Sequence, residues 1–473
     1  MFSSWKRKPS SGTEQNSLSR YRRTGISRLS APQLFVLSFA GLVLFGTLGL
    51  KLLPGLYTDE SLGWLDALFT ATSAVCVTGL IVVDTSTYFT LWGQAFLLLL
   101  FQLGGLGILS FTSLILVSLG KRLSLRHETV TMNTAEIAPH VEQKHLLRNV
   151  ILFTFGIEAV GALLLYLCTG PQVGWREAIW PAIFHSVSAF CNAGFSTNSD
   201  SLMQIHSNIP ALWIISLLII AGGIGFLTLE ELYLLQREKR RGKRFRISLH
   251  SRLVLVTTAV LIVSGIVVFF LLEWNHTFRD MPMIEKFHNA LFMSAAARTA
   301  GFNTIDYSQA TVGTNFFTIL LMSIGGAPAS TAGGLKVTTL AIIALVAWSR
   351  IRGRTHTSIA DRTIPESTIQ RAIGLFAIVF SLMTLSIFAL CIGITQDRGN
   401  QDFLAYMFEA VSAFNTVGLS MGVTSSLSNS DRILTICLMF VGRVGPLVFA
   451  AALTPRRDTS RCFRYAHEDV MVG

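Results

Sequence analysis

Eight apolar runs, each at least as long as the ~20 residues a helix needs to cross a hydrocarbon core, recur along this chain. They lie near 33–55, 91–119, 147–169, 209–235, 251–274, 312–348, 371–395 and 431–453. Between the two members of each successive pair sits a semi-apolar stretch too short to cross, at 63–78, 177–193, 284–300 and 402–417. Each is expected to form a re-entrant half-helix, because backbone at membrane depth must satisfy its own polar groups. Composition points the same way: 51% of the 473 residues are hydrophobic, 14% are charged, and mean hydropathy is +0.54. A soluble chain of ordinary composition does not reach these values. The expected class is an all-α membrane protein.

The formal charge of +11 would fit a nucleic-acid binder, yet the cations form short clusters between apolar runs and no folded basic domain. After a basic N-terminal tail come Lys121, Arg122 and Arg126. Then follow Arg237, Lys239, Arg240, Arg241, Lys243, Arg244 and Arg246, next Arg350, Arg352 and Arg354, and last Arg456, Arg457, Arg461 and Arg464. Positive charge marks the cytoplasmic side, so all five clusters and both termini are expected there, with lipid as the surrounding partner and no nucleic acid. Residues 1–30 hold no apolar core of the kind a cleaved signal peptide requires. The six cysteines form no CxxC pair and read as buried or lipid-facing thiols.

The pairs are copies of one unit. Three of the short stretches share a Phe, then Ser-Ala four and five residues on, then a Gly ten on: Phe69, Ser73, Ala74 and Gly79; Phe184, Ser188, Ala189 and Gly194; Phe408, Ser412, Ala413 and Gly418. The remaining copy is one residue shorter, with Phe292, Ala295, Ala296 and Gly301. The glycines fall 115, 107 and 117 residues apart. The expected architecture is therefore four repeated helix–pore-loop–helix units, with eight spans and four re-entrant half-helices, around one central pore. Its parts are a tail at 1–30, unit 1 at 31–120, unit 2 at 121–236, unit 3 at 237–349, unit 4 at 350–455 and a C-terminal tail at 456–473.

Four non-helical segments around one axis can turn backbone carbonyls inward, and a Gly after each half-helix reaches conformations closed to other residues. Rings of neutral oxygens suit a weakly hydrated monovalent cation, whereas a divalent filter more usually carries Asp or Glu, and none stands beside these glycines. The fourth copy, Thr416-Val417-Gly418-Leu419, comes close to the TVGYG run of potassium channels.

By these marks the chain resembles the membrane subunit of the bacterial Trk/Ktr/HKT potassium transporters over residues 31–455. The resemblance rests on "TSAVCVTGL", "HSVSAFCNAGFS", "AARTAGFNT" and "EAVSAFNTVGLS" as pore loops, on "GGAPASTAGGLKVTT" in unit 3 and on "GRVGPL" in unit 4. Eight spans make it more similar to the Ktr form than to the ten-span Trk form. The resemblance implies a potassium-binding filter of Val77, Thr78 and Gly79; Asn192, Ala193 and Gly194; Thr299, Ala300 and Gly301; and Thr416, Val417 and Gly418. Glycine at all four positions implies selectivity for K⁺, the only metal ion expected at the site. It further implies a homodimer in the bacterial plasma membrane, docked on a cytoplasmic nucleotide-binding regulatory ring. Coupling to Na⁺ stays open, and no organic cofactor is expected.

Each second run also carries a glycine-rich centre, at Gly104-Gly105, Gly222-Gly223, Gly325-Gly326 and Gly442-Arg443, placed 25, 28, 24 and 24 residues beyond its filter Gly. Close helix packing accounts for the first two. In unit 3 a Pro and four Gly interrupt the run: Gly325, Gly326, Pro328, Gly333 and Gly334, with Ser330 and Thr331 between them. Such a run resists helix, so residues 325–334 are expected to form an intramembrane gate loop ending at Lys336. Arg443 lies level with it, where an intramembrane charge normally faces a cavity or a partner. It reads as a positive barrier under the filter or as half of a pair with Glu158 or Glu409. Arg298 and Glu409 are expected to brace the filter from behind.

Other chemistry fails on context. "GGLKVTT" breaks the phosphate-loop pattern because Leu335 separates Gly334 from Lys336, and it lies in an apolar run instead of after a strand. His185 and His288 have no acidic or thiol partner at ligand spacing. No nucleophile–base cluster points to an enzyme. A secondary transporter with broken helices would be built from inverted repeats, whereas two spans per unit keep all four copies parallel.

Overall fold

The structure is a computed structural model that describes residues 31–58, 60–107, 143–243, 245–359, 362–392 and 402–453. The N-terminal tail, the joint with Lys121, Arg122 and Arg126, Arg244, and the cluster from Arg456 to Arg464 lie outside the described residues.

Each unit opens on a long apolar helix: α1 (Ala31–Leu52), α5 (Gln143–Val173), α9 (Leu249–Glu273) and α13 (Glu366–Ile392). Each continues into a shorter helix where the half-helices were expected: α2 (Trp64–Val75), α6 (Ile179–Cys191), α10 (Met283–Ala296) and α14 (Asp402–Phe414). A short α3 (Thr85–Tyr88) precedes α4 (Leu91–Gly105), the second helix of unit 1. The later second helices are broken. Unit 2 has α7 (Ile209–Gly223) and α8 (Phe226–Arg240), unit 3 has α11 (Val312–Met322) and α12 (Val337–Ile351), and unit 4 has α15 (Asn429–Val444) and α16 (Pro446–Leu453). A two-stranded hairpin, β1 (Ser358–Ile359) on β2 (Arg362–Thr363), precedes α13.

Four described helices are long and apolar enough to span a membrane, or up to six if each bent pair counts as one span. The eight apolar runs thus do not become eight straight helices. Their second members bend by 103° between α7 and α8 and by 97° between α15 and α16. The hinges are Gly225 and Gly445, at φ +85° and +89°, in the left-handed region that a helix cannot continue through.

The long helices turn apolar side chains outward: Leu44 and Phe45 on α1, Leu152 and Phe155 on α5, Val256, Val260 and Val263 on α9, and Phe380 and Phe388 on α13 are all exposed. In water that surface would be a liability, and in a bilayer it is the solvated face. The half-helices do the reverse. The repeated Phe69, Phe184, Phe292 and Phe408 each have 0% exposure, which makes them the interior anchor of each unit.

Contacts between units run in a cycle. The second helix of each unit packs on the half-helix of a neighbouring one: α4 on α6, α7 on α10, α11 on α14, and α15 on α2, which returns to unit 1. Within units 1, 2 and 4 the second helix also lies on the carbonyl four residues ahead of Gly79, Gly194 and Gly418. A Cβ on Gly104 would fall 2.0 Å from Val75 O, on Gly222 1.9 Å from Phe190 O, and on Gly442 1.7 Å from Phe414 O. The spacing of those glycines is therefore a packing requirement between backbones. Gly442→Ala is expected to lower thermal stability in detergent by about 1–3 kcal/mol through overpacking. Gly374→Ala, on the exposed face of α13 with nothing within 4 Å of a new Cβ, is expected to raise it by up to ~1 kcal/mol, the helix-propensity gain. Melting both variants beside the parent checks the sign of each.

Candidate functional site

The four chain segments that leave the half-helices share one backbone pattern. Val77 and Gly79 have φ of +57° and +90°, Asn192 and Gly194 +60° and +71°, Thr299 and Gly301 +70° and +74°, and Thr416 and Gly418 +51° and +92°. In each, one residue of negative φ stands between two of positive φ. Val77, Thr299 and Thr416 are β-branched, and a left-handed conformation costs such residues about 1–3 kcal/mol each, so the surroundings must impose it.

Part of that support is local. Thr78 N–H donates to Ser73 O at 2.8 Å and Gly79 N–H to Ser73 Oγ at 3.1 Å. Unit 4 repeats this, with Val417 N–H on Ser412 O at 2.8 Å and Gly418 N–H on Ser412 Oγ at 3.0 Å. In unit 2, Ala193 N–H donates to Ser188 O at 2.7 Å while the Ser188 hydroxyl donates to Phe195 O at 2.8 Å. The repeated Ser is thus a cap that turns the chain out of the half-helix, a role its recurrence in the sequence marked without explaining.

The rest of the support is the ring itself. A Cβ on Gly79 would lie 2.5 Å from Ala193 O, on Gly194 3.0 Å from Ala300 O, on Gly301 2.7 Å from Val417 O, and on Gly418 2.0 Å from Thr78 O. Each glycine faces the carbonyl that precedes the next unit's glycine, and the fourth returns to the first. All twelve residues of the expected filter are buried or nearly so, and the hydroxyls of Thr78 and Thr416 have no hydrogen-bond partner among the described residues.

Behind the ring, the buried Glu409 accepts from Ser420 Oγ at 2.8 Å and Thr424 Oγ1 at 2.6 Å, fixing the strand of chain that follows Gly418. His185 pairs with Ser196 Oγ at 2.9 Å in unit 2, and Arg298 reaches Thr258 Oγ1 at 3.4 Å in unit 3. His288 instead bonds the Ile284 carbonyl on its own helix. Between Gly79 and α4, burial would raise the Asp84 carboxyl, but hydrogen bonds from Ser199, Ser86 and Thr87 outweigh it and hold the group below its ordinary value.

Residues 323–336 form the break between α11 and α12. The base of this loop is closed by Gly325 N–H on Leu335 O at 2.8 Å and Val337 N–H on Gly326 O at 3.0 Å. It is tied to the hinge of unit 2 by Ala327 N–H on Gly223 O at 2.8 Å, Thr331 N–H on Gly222 O at 3.3 Å and Phe226 N–H on Ala329 O at 3.0 Å. Thr331 Oγ1 donates to Phe190 O at 3.2 Å, at the end of the second half-helix, and the Ser330 hydroxyl folds back to Ala327 O at 2.6 Å. Pro328 presents its carbonyl to Gly225, where a Cβ would lie 2.8 Å away. Lys336 turns its ammonium onto Ala332 O at 2.7 Å, within the loop.

Arg443 is buried and donates to Thr331 O in the loop and, at 2.6 Å, to Gly104 O in unit 1. Neither Glu158 nor Glu409 forms an ion pair with it among the described residues; Glu158 accepts from Gln102 Nε2 at 2.9 Å instead. The guanidinium therefore bridges the loop to the opposite unit through neutral carbonyls.

Comparison with known proteins places the chain in a family. The TrkH family model, described as a cation transport protein, matches residues 28–459. The Ktr system potassium uptake protein B of Bacillus subtilis is 37% identical over 448 residues, 94% of this chain and 97% of that protein. The potassium/sodium uptake protein NtpJ of Enterococcus hirae is 36% identical over 449 residues, 94% of this chain and 98% of its own length. The crystal structure of the potassium transporter TrkH from Vibrio parahaemolyticus superposes with a TM-score of 0.69 at 20% identity, covering 92% of this chain and 87% of that one, a likeness of fold.

Proposed function

We propose that this chain, which belongs to the TrkH family of cation transport proteins and is a transporter and not an enzyme, takes up potassium across a bacterial plasma membrane. Conduction is channel-like, with dehydrated K⁺ passing through the four carbonyl-lined segments that end at Gly79, Gly194, Gly301 and Gly418. The observation that carries this reading is the closed cycle of glycines against carbonyls, with the same alternation of φ in all four units. A cation on that axis would exchange its water shell for neutral oxygens, as suits K⁺. The inward driving force is the membrane potential, worth ~2.3 kcal/mol per charge per 100 mV.

The loop at 325–334 forms the barrier below the filter, with Arg443 as its latch. Opening is controlled from outside the chain by a cytoplasmic nucleotide-binding ring that meets a homodimer of this subunit. Support for that partner is the resemblance and the basic end of α8, where Arg237, Arg240 and Arg241 line a groove with Tyr233 and Gln236. A second reading, Na⁺-coupled symport of K⁺, draws on the relative named for both ions.

The test is K⁺ uptake in cells that lack other K⁺ systems, with and without a candidate partner and with and without external Na⁺. Restored growth at low K⁺ that needs no Na⁺ is the expected result. Absence of K⁺ uptake from a chain shown to be inserted in the membrane would overturn the reading, and strict Na⁺ dependence would move it to symport.

A further inference from the structure

One side chain joins the loop to the fourth filter segment. Asn415 stands three residues before Gly418, where the other units carry Cys76, Cys191 and Arg298. It has 0% exposure. Its Oδ1 accepts from the Leu335 N–H at 3.4 Å, and its Nδ2 donates to Val411 O at 3.0 Å, one turn back in α14. The amide thus ties the last turn of the half-helix to the end of the loop, and the next residue in the chain is Thr416, held at φ +51°. The loop is shaped around this pair. A Cβ on Gly334, itself at φ +63°, would fall 2.3 Å from Asn415 Oδ1, and one on Gly333 would fall 2.1 Å from Thr416 Oγ1. Movement of the loop that parts Leu335 from Asn415 breaks a hydrogen bond between two buried residues, a loss of about 1 kcal/mol at ordinary strength. At the equivalent place in unit 3, Arg298 points to Thr258 and makes no such tie among the described residues.

We infer that Asn415 is a positioning residue that couples the loop to the filter: the same amide seats the loop at Leu335 and orients the chain entering Thr416. The inference rests on the reading of 325–334 as the barrier and of 416–418 as filter. Loss of the Asn415 acceptor then does two things, releasing the loop and loosening one quarter of the ring. Loss of the loop alone does only the first.

The experiment uses the full chain in proteoliposomes without a partner, measuring K⁺ and Na⁺ uptake normalised to folded protein, and deuterium uptake over 325–336. Four proteins are compared with the parent: Asn415→Leu, which keeps the branched shape but has neither acceptor nor donor; Asn415→Asp, which keeps Oδ1; a chain shortened within 325–334; and that chain with Asn415→Leu. Asn415→Leu is expected to raise K⁺ flux about 5-fold, the factor given by loss of one hydrogen bond of ordinary strength, to lower the K⁺/Na⁺ ratio, and to speed exchange at Leu335. Asn415→Asp is expected to keep exchange at Leu335 close to the parent. In the shortened chain Asn415→Leu should lower the ratio but add no further flux. An undiminished flux effect in the shortened chain, or unchanged exchange in the full-length variant, overturns the coupling. A shortened chain that conducts no faster than the parent shows instead that the barrier reading fails, and the inference falls with it. If the Leu variant does not fold, Asn415→Ser, too short to reach Leu335, carries the same expectations.

Discussion

Gly418→Ser is expected to abolish most of the discrimination between K⁺ and Na⁺, and to do so more severely than Ser at any other filter glycine. Two costs combine at this position. Its φ of +92° is one that L side chains rarely adopt, and a new Cβ would lie 2.0 Å from Thr78 O, a backbone atom that cannot rotate away. Strain of about 1–3 kcal/mol from backbone conformation alone corresponds to roughly 5-fold to 150-fold in any equilibrium that depends on the native ring. The clearances rank the four sites: 2.0 Å at Gly418, 2.5 Å at Gly79, 2.7 Å at Gly301 and 3.0 Å at Gly194. Gly194→Ser should therefore be the mildest. Competition of Na⁺ against K⁺ uptake, measured for all four variants, checks both the loss and its order. Equal K⁺ preference in the Gly418 and Gly301 variants and the parent would remove these segments from the ion path.

Arg443→Ala is expected to raise partner-independent K⁺ flux by about tenfold or more. The side chain donates to Thr331 O and Gly104 O, and a charged donor contributes about 1.5–3 kcal/mol per hydrogen bond, so its removal frees the loop from the opposite unit. It also removes a positive charge that opposes a cation in a low-dielectric interior. Shortening the loop within 325–334 should act in the same direction. If the guanidinium and the glycines served packing alone, both variants would conduct less per folded molecule, because two buried carbonyls and a set of close backbone contacts would be left unsatisfied. Flux in proteoliposomes, normalised to folded protein and compared with and without a partner, separates the two outcomes. A fall in both would remove the barrier and leave the ring of four segments in place.

The order of elements was legible in the residues because it depends on short stretches of chain. Apolar length marks where a helix must leave water, and the half-helix runs expected at 63–78, 177–193, 284–300 and 402–417 correspond to α2, α6, α10 and α14. The Pro and Gly between 325 and 334 mark a break, since those residues cannot hold a helix whatever surrounds them. Other features depend on partners far away in the chain. No intrinsic preference of Val or Thr puts Val77, Thr299 and Thr416 in left-handed conformations; beyond the local Ser caps, the ring supports them, because each segment presents its carbonyl to a glycine more than a hundred residues distant. The eight runs read alike in hydropathy, but among the described residues the second runs of units 2 and 4 bend at Gly225 and Gly445 and that of unit 3 breaks at 323–336, while Gly222 and Gly442 lie on the carbonyls of their own half-helices. Arg443 shows the division most clearly. Its cost in an apolar run required a cavity or a partner, and the sequence offered a barrier under the filter first and a pair with Glu158 or Glu409 second. The contacts that decided it are with Thr331 and Gly104, 112 and 339 residues away, and they exist only once the four units have closed on one another.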